Sequence, residues 1–275
     1  MRESISMLCC CALVLLIGST VVAQRSAPRQ GQEQQKNKAI EVKFPKDASV
    51  PVLVMDVVGG FRMKTPEGFS PTPMVQIFAD GRIATGRKSD TVKEVEGQID
   101  LVDLKSLLVF IVDECHFFKI TSESVKADLA KKRVGKIMDA GTTQITVTLR
   151  DGSNAVEVYA MPHIAGQFSD VASVASMIAI ASRCRHLIAK IKLGSDDEAA
   201  ASLSAVNKAL SKKSAGAPKF TMANLQSAEQ YVDGRRTASF VNNFADKQKQ
   251  MLAYAIIQVD TKGKETVVVD VVQQK

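Results

Sequence analysis

The chain has 275 residues, of which 45% are apolar and 24% are charged, and its formal net charge is +7. A chain of this length and ordinary apolar content can bury a substantial core and can divide into two units. Tryptophan is absent and tyrosine occurs only three times, which argues against a carbohydrate-binding surface, because sugar faces usually stack on such rings.

The first 23 residues have the three-part layout of a secretory signal peptide. Arg2 supplies a short charged start, residues 7–22 are apolar, and small or modest side chains at residues 21–23 precede an abruptly polar region. The apolar run of about 15 residues is shorter than the ~20 that a spanning helix needs. We therefore expect cleavage near residue 23, export to the periplasm or the extracellular space, and no transmembrane segment in the mature chain. A retained anchor and a lipid anchor on a cysteine at positions 9–11 are the alternatives.

Export changes which partners the positive charge predicts. A basic chain invites a nucleic-acid prediction, but a protein outside the cytoplasm meets no genome, so we expect no nucleic-acid partner. An ordinary solvated surface accounts for most charge of this kind. The partners that remain are an envelope protein or an anionic surface such as lipid or polysaccharide, and no cofactor is expected.

Two cysteines, Cys115 and Cys184, remain once residues 1–23 are removed. Outside the cytoplasm two cysteines can pair, so a disulfide between them is one prediction. Both fall on the apolar faces of predicted helices. Two buried thiols that pack as small hydrophobic groups are therefore the alternative.

The first part of the mature chain predicts a linker followed by strands. Residues 24–46 are rich in Gln, Lys, Arg and Pro, which is typical of a flexible linker. A strand follows at residues 50–58 (VPVLVMDVV). Residues 74–85 predict a hairpin around Asp80-Gly81, because this pair supplies the positive backbone angles of a tight turn. Residues 92–99 can add another strand.

A long loop separates the first strand from this hairpin. Residues 59–73 (GGFRMKTPEGFSPTP) are rich in turn formers, and about 15 residues are more than most hairpin connections use. Loops of this length are often functional, so we predict a partner-contact loop, with a surface loop that binds nothing as the alternative. The side chains that would make the contact are Phe61, Arg62, Lys64, Glu67 and Phe69.

Helices and a second hairpin follow in the middle of the chain. Apolar residues at spacings of three and four predict a helix over residues 101–117, and a more polar helix is predicted over residues 122–132. Residues 142–160 predict a hairpin around Asp151-Gly152 because apolar and polar residues alternate on both sides of the turn. A long helix is predicted over residues 165–192.

The C-terminal part predicts one helix and then strands. Ser195 and Glu198 match a capping box, in which a hydroxyl and a carboxylate satisfy the first N–H groups of a helix. This helix is expected to end near residue 213, and strands are predicted at 225–232, 236–241, 251–259 and 265–272. Hairpins mixed with helices predict an α+β fold of antiparallel sheet covered by helices. We place an α+β domain at residues 47–194 and a smaller helix-plus-strands unit at residues 195–275.

No motif in the chain predicts a catalytic, cofactor-binding or metal site. A Gly-x-Ser-x-Gly elbow is absent. Cys115 and His116 point about 100° apart on a helix, so they cannot act as nucleophile and base. The other metal-ligand candidates, His163, Cys184 and His186, do not have the spacing of a metal site. Helix capping explains the paired carboxylates.

Part of the chain, roughly residues 73–193, resembles a domain of exported bacterial proteins of no assigned function. The residues that carry the resemblance are Val75-Gln76-Ile77, Asp80-Gly81-Arg82, Gly97, residues 104–118 (LKSLLVFIVDECHFF), Thr142-Thr143 and Asp151-Gly152. The resemblance implies the order of the elements and a location outside the cytoplasm. It implies no activity and no catalytic positions.

Taken together, these features favour a non-enzymatic binding or structural protein of the bacterial cell envelope. We expect its contact surface at the loop of residues 59–73 or at an exposed sheet edge. One alternative is a hydrolase whose active site is assembled from residues distant in sequence. Another is an inhibitor-like interaction module, which the helix-then-strands order of residues 195–275 suggests.

Overall fold

Two antiparallel sheets form the framework of the chain. The computed structural model describes residues 42–59, 73–86, 92–132, 137–165, 167–168, 170–214, 216–246 and 249–273. The strands of the N-terminal sheet are β1 (Pro51–Gly59), β2 (Val75–Phe78), β3 (Arg82–Thr85), β4 (Val95–Gln98), β5 (Gly141–Leu149) and β6 (Gly152–Tyr159). Their spatial order is β4-β3-β2-β1-β5-β6.

The C-terminal sheet is a meander in which each strand pairs with the next one along the chain. Its strands are β7 (Leu225–Gln230), β8 (Arg236–Asp246), β9 (Lys249–Val259) and β10 (Glu265–Gln273). All pairings in both sheets are antiparallel. The predicted α+β fold of antiparallel sheets with helices is therefore confirmed.

In chain order, two α-helices come between β4 and β5, and three more follow β6. They are α1 (Leu101–Val109), α2 (Ser122–Lys131), α3 (Met161–Ala165), α4 (Ala172–Leu193) and α5 (Asp196–Lys213). A capping box opens α2, where the Thr121 and Ser124 side chains each bond to the other's backbone N–H. The predicted box at Ser195 and Glu198 is present and opens α5.

The predicted tight turn at Asp80-Gly81 is present between β2 and β3. Gly81 has a φ of +84°, and a Cβ atom there would lie 2.4 Å from the carbonyl oxygen of Ile99. The same residues are joined by a hydrogen bond, because the Ile99 N–H donates to the Gly81 carbonyl over 2.9 Å. Only glycine allows this turn to touch the chain that leaves β4.

The helix predicted over residues 101–117 is regular only as far as Val109. A π-helical turn follows at Phe110–Glu114, where the Cys115 N–H donates to the Phe110 carbonyl over 2.9 Å. His116 then adopts a left-handed conformation with a φ of 51°, and Phe117 beyond it is completely buried. The wide turn keeps Cys115 in the core, whereas residue spacing alone cannot distinguish it from a regular helix.

The long helix predicted over residues 165–192 is present as α4, which begins later, at Ala172, and a short helix, α3, precedes it. The predicted apolar face of α4 is buried against the N-terminal sheet, as shown by Val174, Met177, Ala181, Cys184 and Ile188. The helix comes close to β4 at Gly97, where a Cβ atom would lie 2.8 Å from the Ile191 side chain. A larger residue at position 97 would push α4 off the sheet.

The folded part of the chain begins earlier than the predicted linker boundary. Val42 is buried and Phe44 packs against the N-terminal core. The Lys43 carbonyl accepts a hydrogen bond of 2.9 Å from the Arg150 N–H at the end of β5. Residues 42–44 are therefore part of the fold, because Val42 and Phe44 pack in the N-terminal core. Residues 24–41 of the predicted linker lie outside the described residues.

Helix α4 is shared by the cores of both sheets. Its first two thirds contribute to the core under the N-terminal sheet, whereas Ala189 and Leu193 belong to the core between α5 and the C-terminal sheet. The described residues, which begin at Val42, accordingly fall in one compact unit. The predicted boundary near Gly194 falls between α4 and α5 within that unit.

Candidate interaction surface

The two faces of the C-terminal sheet differ in what covers them. One face packs on α5, and its buried residues include Ala238, Phe240, Ala253, Ala255 and Ile257. The opposite face is referred to here as the outer face. On β8, β9 and β10 the strand register assigns to it Thr237, Ser239, Val241, Asn243, Leu252, Tyr254, Ile256, Gln258, Thr266, Val268, Asp270 and Val272.

The outer face carries apolar side chains that have no cover among the described residues. Ile256 and Val268 are directly opposite each other on β9 and β10, and they are 39% and 56% exposed. Leu252 and Val272 form the next apolar pair beyond Tyr254 and Asp270. Because neighbouring exposed apolar residues mark contact sites more often than single ones do, this group is the leading candidate for a functional surface.

The sequences of β9 and β10 resemble those of strands that are buried on both sides. An antiparallel strand with one solvated face normally alternates apolar and polar residues. Strand β10 instead has Val267-Val268-Val269 and then Val271-Val272, and β9 has Ile256-Ile257. Helix α5 covers only one set of these side chains. The other set is the apolar part of the outer face.

Side chains and helix ends contact both edge strands of the C-terminal sheet. Along β7, the His186 Nδ1 lies 3.2 Å from the Leu225 carbonyl oxygen, and the Gln230 amide donates to the Lys192 carbonyl over 3.1 Å. Along β10, Lys213 Nζ donates to the Val269 carbonyl over 2.9 Å. Side chains over an edge strand make strand addition harder, and contact through an exposed sheet edge stays a prediction.

The outer face is close to electrically neutral. Asp270 is the only charged residue among the outer-face residues of β8, β9 and β10. It forms a 2.9 Å ion pair with Lys213. The Lys213 ammonium holds the pKa of the Asp270 carboxyl below its usual value. The Tyr254 hydroxyl also donates to this carboxylate, over 3.3 Å. Charge depletion of this kind is typical of the centre of a protein–protein interface.

A polar cavity of about 220 Å³ lies at one end of the C-terminal sheet. It is formed between the turn that joins β7 to β8 and the turn that joins β9 to β10. Arg235, Arg236 and Lys264 line it together with Asp260. Arg235 pairs with Asp233 over 2.7 Å, and Arg236 pairs with Glu198. The opposite charges offset one another, so the cavity is not a strongly cationic site.

A second cavity, of about 130 Å³, lies where α4 meets β7. It contains the ion pair between Lys192 Nζ and Glu229 Oε2, 2.8 Å long, with Lys192 only 2% exposed. A charge buried this deeply is tolerated because its partner and hydrogen bonds replace water. The pair attaches the end of α4 to the C-terminal sheet.

A third cleft, of about 210 Å³, lies beside the π-helical turn. Its walls are mainly apolar, with Val112, Phe118 and Leu149, and Asp151 and Ser153 from the β5–β6 turn stand at its rim. None of the three cavities is lined by a histidine or a cysteine among the described residues. They therefore do not bring together a thiol or hydroxyl with an imidazole base.

Both predicted disulfide partners are free thiols in the structure, and both are buried. Burial raises the pKa of the Cys184 thiol to about 12 and also raises the pKa of Cys115. Burial in apolar surroundings disfavours the thiolate and so makes a cysteine inert. The structure thus matches the alternative of two buried thiols, and a disulfide between them stays a prediction for the exported chain.

The predicted partner-contact loop, with Phe61, Arg62, Lys64, Glu67 and Phe69, lies outside the described residues. Of the ligand candidates, Cys115 and Cys184 are buried, His186 lies against β7, and His116 follows the π-helical turn. Within the described parts of the chain, no three His, Cys, Asp or Glu side chains group as metal ligands do. In the same residues, no helix is long and apolar enough to span a membrane.

Comparison of the chain with protein-family models, with curated proteins and with solved structures finds no match in any of the three. The resemblance of residues 73–193 to exported bacterial domains therefore stays a prediction. Function has to be argued from the outer face itself. The sequence contains one signal for this face, namely the consecutive valines of β10 and the Ile256-Ile257 pair.

Proposed function

We propose that this protein is a non-enzymatic binding protein of the bacterial cell envelope, and that it makes contact through the outer face of the C-terminal sheet. The observation that carries the proposal is the apolar composition of both faces of β9 and β10 where α5 covers only one of them. The signal-peptide layout of residues 1–23 supports the location.

Contact with a partner would remove the exposed apolar side chains of the outer face from water, which is energetically favourable. Each Val, Ile or Leu side chain that passes from water into an apolar contact contributes roughly 1.5–3 kcal/mol when burial is complete. Ile256, Val268 and Val272 are the exposed large apolar residues of the outer face. The small number of charges on the face favours a contact made by side-chain packing rather than by charge.

Site-specific photo-crosslinking in the producing bacterium tests the proposal. A photoreactive phenylalanine analogue is placed at Ile256 on the outer face and, as a matched control, at Val102, which is 72% exposed on α1. We expect a discrete cross-linked species in the envelope fraction from position 256 and none from position 102. Equal labelling at both positions, or none at 256, contradicts the proposal.

The inhibitor-like alternative is favoured by one observation, namely that α5 lies across the four-stranded meander with two turns at the same end of the sheet. Residues 231–235 and 260–264 form these turns. Such a module would make contact through the turns instead of the face. The same photoreactive group at Val232, which is 64% exposed in the first turn, should then give the adduct while Ile256 does not.

A further inference from the structure

We propose that the partner of the outer face is a second copy of this chain, so that two C-terminal sheets pack face to face across a two-fold axis. The inference rests on the proposed function, because it assigns an occupant to the same surface. Two antiparallel sheets that face each other pack about 10 Å apart with interdigitated side chains. In each chain, α5 covers one face of the C-terminal sheet, and no described residue covers the apolar side chains of the outer face.

The size of the face fits a small dimer interface. The three strands that carry the outer face, β8, β9 and β10, have 11, 11 and 9 residues. With about 4.8 Å per strand and about 3.3 Å per residue, the face covers roughly 490 Å² before side-chain corrugation is counted. A standard specific interface buries about 800 Å² on each partner, and weaker, transient interfaces bury less. The outer face therefore matches one side of an interface at the small end of this range.

The distribution of polar and apolar residues along the strands is also compatible with self-association. The apolar pairs, Ile256 with Val268 and Leu252 with Val272, lie at the second and fourth cross-strand positions, and Thr237, Gln258 and Thr266 form a polar row at the end. A two-fold contact is made by one patch with itself, so the patch has to be self-complementary. Its apolar and hydroxyl side chains meet this condition, and the one carboxylate between the two apolar pairs, Asp270, is compensated by its ion pair with Lys213.

The charge of the chain favours a second copy over an anionic surface. The chain as a whole carries +7, so two copies repel unless they meet through a face without cations. Most of the outer face has this property, since Asp270 is the only charged residue assigned to it and pairs with Lys213 at the edge. Arg235 and Lys264 lie at one end of the face, in the turns around the cavity that its polar row lines. An anionic membrane would meet a carboxylate there and no lysine or arginine of the face itself.

Sedimentation equilibrium of the full exported chain tests the inference. The chain before processing has a mass of 29.7 kDa, and we expect about twice the monomer mass at working concentrations. Ile256→Lys should raise the dimer dissociation constant by at least about 30-fold, because it places an unpaired charge in the centre of the contact. Val102→Lys, the same type of change at an exposed site on α1, should leave it unchanged.

The possible results separate the inference from the proposed function. A wild-type monomer whose photo-adduct at Ile256 contains another protein overturns the dimer and keeps the function, whereas a monomer with no adduct overturns both. A dimer that Ile256→Lys does not weaken forms through a different surface and overturns the inference. Co-sedimentation with phosphatidylglycerol vesicles that Ile256→Lys abolishes would assign the face to a membrane instead. Circular dichroism checks folding, and Val268→Lys replaces any variant that does not fold.

Discussion

Lys192 is the clearest case of a single residue that joins separate parts of the fold. Its side chain is 2% exposed and forms a 2.8 Å ion pair with Glu229 of β7, while its carbonyl accepts a hydrogen bond from Gln230. An ammonium group at this depth loses its hydration, and the carboxylate replaces it. In the sequence, Lys192 is one of several lysines near a helix end, which are usually solvated. Only the position of β7 against α4 makes it a buried group.

Glu229→Leu should destabilise the protein by about 3–5 kcal/mol, because it leaves the Lys192 ammonium buried without its partner. The double variant Lys192→Met/Glu229→Leu should recover most of that loss, since two apolar side chains of similar volume need no hydration. Urea unfolding followed by circular dichroism measures both. A single variant as stable as the wild type would show that other groups hydrate or pair with Lys192.

At the scale of elements, local signals and tertiary contacts differ in what they determine. Helix α5 begins and ends where the sequence predicts, because its capping box acts within four residues: the Ser195 N–H donates to Glu198 over 2.8 Å and the Glu198 N–H donates to Ser195 over 3.3 Å. Helix α1 instead widens into a π-helical turn that local spacing does not reveal. Packing of Phe110 under the Arg183 guanidinium, 3.4 Å from the ring centre, accompanies that turn.

The capping box predicts an acid-dependent contribution to stability. The Ser195 N–H, with help from the Arg236 guanidinium, holds the pKa of the Glu198 carboxyl below its usual value of 4.5. A lowered pKa in the folded state means that the charge stabilises the fold above the ordinary pKa. This contribution is lost as the pH falls through the lowered value.

Glu198→Gln should therefore lower the stability near neutral pH by about 0.3–1 kcal/mol, which is the usual value of a carboxylate at a helix N-terminus. Glutamine can still accept the hydrogen bond from Ser195, so the variant reports the charge alone. The difference from the wild type should shrink as the pH falls below 4.5. Thermal melts at a series of pH values measure it, and a difference that stays constant into acid would contradict the assignment.

At the scale of the whole molecule, the predicted α+β fold is present, but the sequence did not show how its parts join. The sequence predicts a domain boundary near Gly194, because a capping box follows the end of a helix there. The structure places Ala189 and Leu193, which precede this point, in the core of the C-terminal sheet. One helix can contribute apolar side chains to two cores. The spacing of those residues along the helix does not show which sheet each end packs against.

Export and thiol state are predictions about the whole exported chain, and one intact-mass measurement tests both. We expect the mature protein to begin at Gln24 or nearby, because signal peptidase cleaves after small side chains. Alkylation of the denatured, unreduced protein should modify both Cys115 and Cys184, since the structure has them as free thiols. An intact N-terminus would contradict cleavage, and two unmodified cysteines would establish the alternative disulfide.

The sequence by itself determined the features that depend on neighbouring residues: the order of strands and helices, the Asp-Gly turns, the box at Ser195 and the fold class. These signals are local because caps, turns and alternation act over a few residues. Only the tertiary structure decided that Lys192 is buried and that no described residue covers the apolar side chains of the outer face. Each of these depends on contacts between residues far apart in the chain, and the valines of β10 show this most directly. Their sequence indicates two apolar faces, but only the packing of α5 shows which one is left for a partner.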